Sequence, residues 1–289
     1  MSKFLLSCVR FKKIPVESFD GSHANLTEVP PEISQHRKSL RKLCLNSNRI
    51  NEISKEVYSL HELRELDLSE NDILFISPNI SHITHLTTLN LSKNSLSVLP
   101  DSIQQCQELV FVDLSANPLQ TMCAGVTRLP RLKTLLMNGC EMEQLLPSIG
   151  NLSQLEVLEL RENYLTELPP SLGYLTQLQR LDLGCNEFTE MPPCIGSLVS
   201  LTELWLDGNI LGALPEEMGN LHKLTFLELT GNQLLSLPEA MGGMSKLTDL
   251  YLHDNLLATL PASMEQMSLL SVLRVDLNRL TALPDAIRG

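Results

Sequence analysis

Aromatic side chains are scarce in this 289-residue chain: one tryptophan, four tyrosines and seven phenylalanines, 4 % of the whole. Its core must be filled by aliphatic residues, which raise the apolar fraction to 43 %. Basic residues are also short: 22 Lys and Arg face 34 Asp and Glu. The resulting net charge of −12 excludes the clustered basic face that nucleic-acid binding requires. Long apolar runs are missing. The N-terminal one, Phe4 to Val9, spans six residues, too short for a signal-peptide core and far below the about 18 residues of a membrane-spanning helix. The seven cysteines are odd in number, irregularly spaced and without a C-x-x-C pair, as expected of reduced thiols in a soluble cytosolic protein. There is no Gly-rich phosphate loop, nucleophile elbow or thiol motif, so neither an enzyme, a cofactor nor a small-molecule substrate is expected. His82 and His85 are three apart, but with no third ligand nearby they do not suggest a metal site.

Leucine, by contrast, is abundant and periodic. LEVLELRENYLTELP, Leu155 to Pro169, is preceded 23 residues earlier by LKTLLMNGCEMEQLL and followed 23 later by LQRLDLGCNEFTEMP. The shared unit, L-x-x-L-x-L-x-x-N-x-L, is the leucine-rich-repeat signature. Its asparagine position recurs eleven times at a spacing of 23: Asn48, Asn71, Asn94, Asn117, Cys140, Asn163, Asn186, Asn209, Asn232, Asn255 and Asn278. Where a strand turns out of the sheet its backbone groups lose ladder partners, and an asparagine amide both donates and accepts there. Cys140 offers only a weak donor, so its turn is expected to be the least satisfied, and Cys140→Asn to stabilise. Two further apolar columns, beginning at Val57 and Leu60, line the opposite limb. Leu-Pro steps such as Leu168-Pro169 direct the chain out of the turn.

These features predict an α/β leucine-rich-repeat solenoid, a right-handed horseshoe-like arc with a parallel concave sheet and a short helical or irregular convex limb. Residues 1–35 read as an N-terminal cap with an irregular first repeat, Ala24 standing 24 rather than 23 before Asn48. Residues 36–289 read as eleven tandem repeats. The last unit stops at ALPDAIRG with no polar capping element, so the array is expected to continue in a longer protein.

Within each repeat the alternate residues of L-x-L should point out from the concave sheet. That grid carries Phe111, Leu136, Glu159, Arg161, Asp182, Glu203, Asp207, Glu228, Asp249 and His253, with acids outnumbering bases. Trp205 lies beside Phe226 and Tyr251 of the next two repeats. An aromatic cluster ringed by charge has the composition of a binding hot spot, so these thirteen residues are the expected partner-binding face, for a protein with a basic or basic-apolar surface. Glu159 and Asp182 stack in adjacent repeats, but an open surface should not desolvate one acid of such a pair more than the other. At the N-terminus, Cys8 lies among Lys3, Arg10, Lys12 and Lys13 beside Phe4, Leu5 and Leu6, a setting for S-acylation and membrane attachment.

Several stretches carry a family resemblance: VESFDGSHANLTEVPPEI from Val16 to Ile33, VDLSANPL from Val112, LELRENYLTELP, RLDLGCNEFTEMP, ELWLDGN and LRVDLNRLTALPDAI. Together they resemble the LAP family, the Scribble, Erbin, Densin and Lano group of leucine-rich-repeat scaffolds. The likeness implies a cytoplasmic scaffold, peripheral at the plasma membrane or cell junctions, that serves polarity, adhesion and signalling-complex assembly. It also implies an S-acylated N-terminal cysteine, for which Cys8 is the corresponding residue. A competing resemblance is to Ras-pathway repeat scaffolds, which share the repeat length and bind small GTPases and phosphatases; the N-terminal cap favours LAP.

Overall fold

The structure, a computed structural model, describes residues 15–282. Cys8 and its basic neighbours lie outside them. Each x-L-x triplet forms a three-residue strand whose central residue points into the core while its two neighbours face outward. The strands are β1 (Ser18–Asp20), β2 (Lys42–Cys44), β3 (Glu65–Asp67), β4 (Thr88–Asn90), β5 (Phe111–Asp113) and β6 (Thr134–Leu136). They continue as β7 (Val157–Glu159), β8 (Arg180–Asp182), β9 (Glu203–Trp205), β10 (Phe226–Glu228), β11 (Asp249–Tyr251) and β12 (Val272–Arg274). All twelve pair in parallel, in chain order, in one sheet. The register follows the repeat, with Leu158 beside Leu181 and Leu181 beside Leu204. Between β1 and β2 it steps by 24, Phe19 beside Leu43, so the irregular first unit still delivers a strand. The chain is therefore a leucine-rich-repeat solenoid.

The opposite limb is built of short 3-10 turns, such as Pro170–Tyr174, Pro193–Ser197 and Glu216–Asn220. A proline precedes seven of them, from Pro30 to Pro261, with φ between −74° and −56°. The fixed pyrrolidine ring thus sets the entry into the turn, as the Leu-Pro step predicts. Behind the turns Ile149, Leu172, Ile195 and Met218 meet the strand leucines in one continuous buried core.

The asparagine ladder closes the turns. Asn94, for example, donates through Nδ2 to the carbonyls of Leu68 and Leu91, both at 3.0 Å, and its Oδ1 accepts the Ile73 N–H at 3.0 Å. Each such amide ties its own turn to the preceding repeat, where a lone buried donor or acceptor would cost about 1–3 kcal/mol. The residue before every ladder position is left-handed, from Ser47 at φ 55° to Leu277 at 52°. Only three of these eleven are glycine: Gly139, Gly208 and Gly231.

The Cys140 turn departs from the expectation of unsatisfied groups. With no amide oxygen at residue 140, the Leu119 N–H donates instead to the Asn117 carbonyl at 2.8 Å. Pro118 has no N–H to offer Leu96, and Gln120 turns left-handed at φ 57° so that its N–H reaches the Cys140 carbonyl at 2.9 Å. The Cys140 thiol donates weakly to the Leu114 carbonyl at 3.4 Å, and burial pushes its pKa up to about 12. Local backbone rearrangement has replaced the missing side-chain acceptor. The other buried thiol, Cys106, donates to the Ile80 carbonyl at 3.3 Å, and burial lifts its pKa to about 11.

Candidate functional site on the concave sheet

The outward residues of β9, β10 and β11 form two rows. Glu203, Phe226 and Asp249 share one; Trp205, Glu228 and Tyr251 share the other. Rings and carboxylates therefore alternate like squares on a board. The Trp205 and Phe226 ring centroids are 4.3 Å apart at 34°, and those of Phe226 and Tyr251 are 5.4 Å apart at 41°. All three rings are half-buried, each covering part of the next. The Trp205 indole N–H is enclosed and has no acceptor among the described residues.

Beside this shelf two arginines knit neighbouring repeats together. Arg180 on β8 donates to Glu159 at 3.0 Å and to Glu203 at 2.7 Å, and its guanidinium lies 5.4 Å from the centre of the Trp205 ring. Arg161 reaches across two repeats to Asp207, with Nη1 at 3.0 Å from Oδ1, and lies 3.5 Å from Asp182. Gly184 makes that reach possible, because a Cβ there would sit 2.2 Å from Arg161 Nη1 and 2.7 Å from Asp207 Oδ1. Hydrogen bonding to Asp207 holds the Arg161 guanidinium well above its ordinary pKa.

Two expectations need correction. Asp182 is buried, not open: Trp205 stands beside it on β9 and Arg161 lies close by. Burial pushes its carboxyl pKa up, against the Gly184 N–H at 2.9 Å and the Arg161 charge, which both pull it down. The concave sheet does, then, desolvate particular acids. Part of the acid excess is also structural. Asp67, Asp113, Asp182 and Glu228 each accept the N–H two residues on, from Ser69, Ser115, Gly184 and Thr230, at 2.9–3.0 Å. They end their strands as well as charging the face.

Phe111 on β5 and Leu136 on β6 face the same way, but β7 and β8 separate them from the aromatic shelf, so they are not part of it. His253 approaches Asp276 to 2.6 Å at the far end and, with Thr230, Tyr251 and Arg274, lines an open pocket of about 260 Å³. A larger cleft, about 590 Å³, lies on the turns leading into β4, β5 and β6, among His85, Gln105, Glu108 and Arg131, away from the rings. His85 is there 3.5 Å from Glu108. Among the described residues no helix is long and apolar enough to cross a membrane. Arg180 and Gly184 stand outside the thirteen expected partner-binding residues. Arg180 was legible as the cation in register with Glu203, one column across from Trp205.

Two family profiles match. One described as a leucine-rich repeat region covers residues 117–210, and one described as leucine rich repeat covers residues 22–73 and 61–119. A leucine-rich-repeat protein of Leptospira interrogans has a similar solved structure, with TM-score 0.63 and 30 % identity over 89 % of this chain and 77 % of its own. The ectodomain of the Arabidopsis thaliana receptor kinase GASSHO1/SCHENGEN3, solved in complex with CASPARIAN STRIP INTEGRITY FACTOR 2, gives TM-score 0.58 and 28 % identity over 90 % of this chain and 38 % of that one. This chain belongs to the leucine-rich-repeat proteins. It is also similar to Erbin of mouse and human, 39 % identical over 59 residues, which are 19 % of this chain and 4 % of Erbin.

Proposed function

We propose that the protein is a non-enzymatic interaction scaffold whose concave face, at β8–β11, docks a protein partner with a basic or basic-apolar surface. The observation that carries this reading is the contiguous Trp205–Phe226–Tyr251 shelf on a face lined by carboxylates. Large half-exposed rings on such a face are where binding energy concentrates. The Arabidopsis receptor ectodomain, solved in complex with CASPARIAN STRIP INTEGRITY FACTOR 2, supports a macromolecular occupant of such a solenoid. The LAP-like stretches and the Erbin match support a place among cytoplasmic scaffolds at the plasma membrane or cell junctions, in polarity, adhesion and signalling assemblies. Cys8 would then supply the lipid attachment.

Proximity labelling in polarised epithelial cells tests both halves, comparing the wild type with Trp205→Ala, whose folding is checked by circular dichroism. Junctional neighbours are expected, with labelling of the concave partner falling at least about tenfold in the variant. Undiminished labelling would refute the concave site, and enrichment of small GTPases and phosphatase subunits would replace the LAP reading by the Ras-pathway one. Palmitate-analogue labelling of Cys8→Ser, expected to be lost, tests the attachment.

A further inference from the structure

The chain already shows how a cation sits on its concave face. Arg180 lies 5.4 Å from the Trp205 ring while Glu159 and Glu203 accept from its Nε and Nη1 at 3.0 and 2.7 Å. The next squares of the board repeat that composition without a cation. Phe226 and Tyr251 stand 5.4 Å apart, with Glu228 beside Tyr251 and Asp249 beside Phe226 across the ladder. Glu228 accepts the Thr230 N–H through one carboxylate oxygen, and Asp249 accepts the Thr248 hydroxyl through one of its own. The second oxygen of each takes no hydrogen bond among the described residues. Arg274, in register with Tyr251, is exposed and makes no ion pair with either carboxylate.

We propose that Phe226, Glu228, Asp249 and Tyr251 form a seat for an arginine side chain of the partner, held as Arg180 is held at Trp205. The inference rests on the concave face being the binding face and adds the chemistry of the contact. A guanidinium is planar, weakly hydrated and forked, so one group can lie on a ring and donate to two carboxylates. A lysine ammonium presents a compact, strongly hydrated charge that cannot stack in this way.

The single tryptophan of the chain allows a direct test. Fluorotryptophan at Trp205, whose ring is 4.3 Å from Phe226, gives one fluorine resonance beside the seat. It is titrated at constant ionic strength with N-acetyl-arginine amide, and separately with the lysine and citrulline amides. Arginine should give a saturable shift, at least about threefold tighter than lysine, and citrulline none. Glu228→Gln with Asp249→Asn should abolish the shift. Asp67→Asn with Asp113→Asn, which removes the same two charges from β3 and β5, should leave it. No saturable shift with arginine, an equal response to lysine, or equal loss in both double variants would overturn the seat. A Trp205-dependent partner in cells with a silent arginine titration would defeat this inference alone. Arginine binding with no Trp205-dependent partner would defeat the scaffold reading of the face alone.

Discussion

Gly219→Ala should destabilise the solenoid by about 2 kcal/mol, although alanine is ordinarily the better residue outside special conformations. Gly150, Gly173, Gly196, Gly219 and Gly242 recur at the repeat spacing on the convex limb, where each turn rests against the next. A Cβ on Gly219 would lie 2.2 Å from the Ala240 carbonyl oxygen and 2.8 Å from its carbonyl carbon. Non-bonded heavy atoms sit at about 3.5 Å or more, so the two turns would have to part by roughly 1 Å. The obstacle is backbone, and no rotamer relieves it. Overpacking of this kind costs about 1–3 kcal/mol, against about 0.4–1 kcal/mol gained by restricting the unfolded chain. The first effect wins, at the upper end because nothing soft yields. Urea unfolding followed by Trp205 emission and circular dichroism measures the loss, with Gly212→Ala as reference, since no atom lies within 4 Å of its would-be Cβ. The Gly212 variant should match or slightly exceed the wild type. Because Gly219 follows β9 and Ala240 follows β10, parting the turns should also move Trp205 against Phe226 and shift the native emission. A Gly219 variant as stable as the Gly212 one would refute close approach as the reason for the glycine column.

Three further outcomes follow from the site and the ladder. Gly184→Ala meets only the ends of two side chains, so it should open the Arg161–Asp207 pair at a cost of about 1 kcal/mol or less, and cost nothing further in an Arg161→Met background; additive losses in the double-mutant cycle would contradict the window. Asp182 binds its proton more tightly folded than unfolded, so this carboxyl erodes stability as pH rises from 3.8 through its raised pKa. The unfolding midpoint of Asp182→Asn relative to wild type should accordingly be most favourable near neutral pH and converge with it below 3.8; the opposite slope would show that Arg161 outweighs burial. Cys140→Asn should stabilise by about 1 kcal/mol at most, because the Leu119 N–H already has an acceptor. Adding Pro118→Ser, which restores the N–H that Ser95 uses toward Ile73, should stabilise by more than the sum of the two single changes, as read by urea midpoints.

The inward half of this fold was legible because each buried position is one column of like residues, and a column repeated eleven times cannot be mistaken for a local accident. Strand phase, a short convex limb and the asparagine ladder follow from period and polarity alone, while the 3-10 form of that limb is seen only in the structure. The left-handed column before the ladder was not legible: Ser47, Glu70, Lys93 and Ala116 share no chemistry, only a turn that the ladder amide imposes on them. Its signal is negative, since no β-branched residue occupies any of the eleven positions. The response to Cys140 was hidden for a related reason. It runs through Pro118 and Gln120, one repeat earlier, and pairing a missing acceptor with a missing donor requires knowing which repeat each amide serves.

The outward half depends on pairings between columns, and these bear on the proposed site. Read by charge, the whole concave face is acidic. In three dimensions Asp67 and Asp113 help to close their own turns, Glu65 pairs with Lys42 at 2.8 Å, and Glu159, Asp182, Glu203 and Asp207 lie within 3.5 Å of Arg161 or Arg180. Four of the seven acids on and after β7 are thereby taken up by this chain's own guanidinium groups. Glu228 and Asp249 are left with a free oxygen each, and they are the two that flank Phe226 and Tyr251. Residual negative charge and exposed ring surface thus coincide on β10 and β11, where a partner would gain apolar contact and charge pairing at once. On β7 and β8 it would first have to displace an arginine already held by two carboxylates, so on the proposed reading β8 is the border of the docking face.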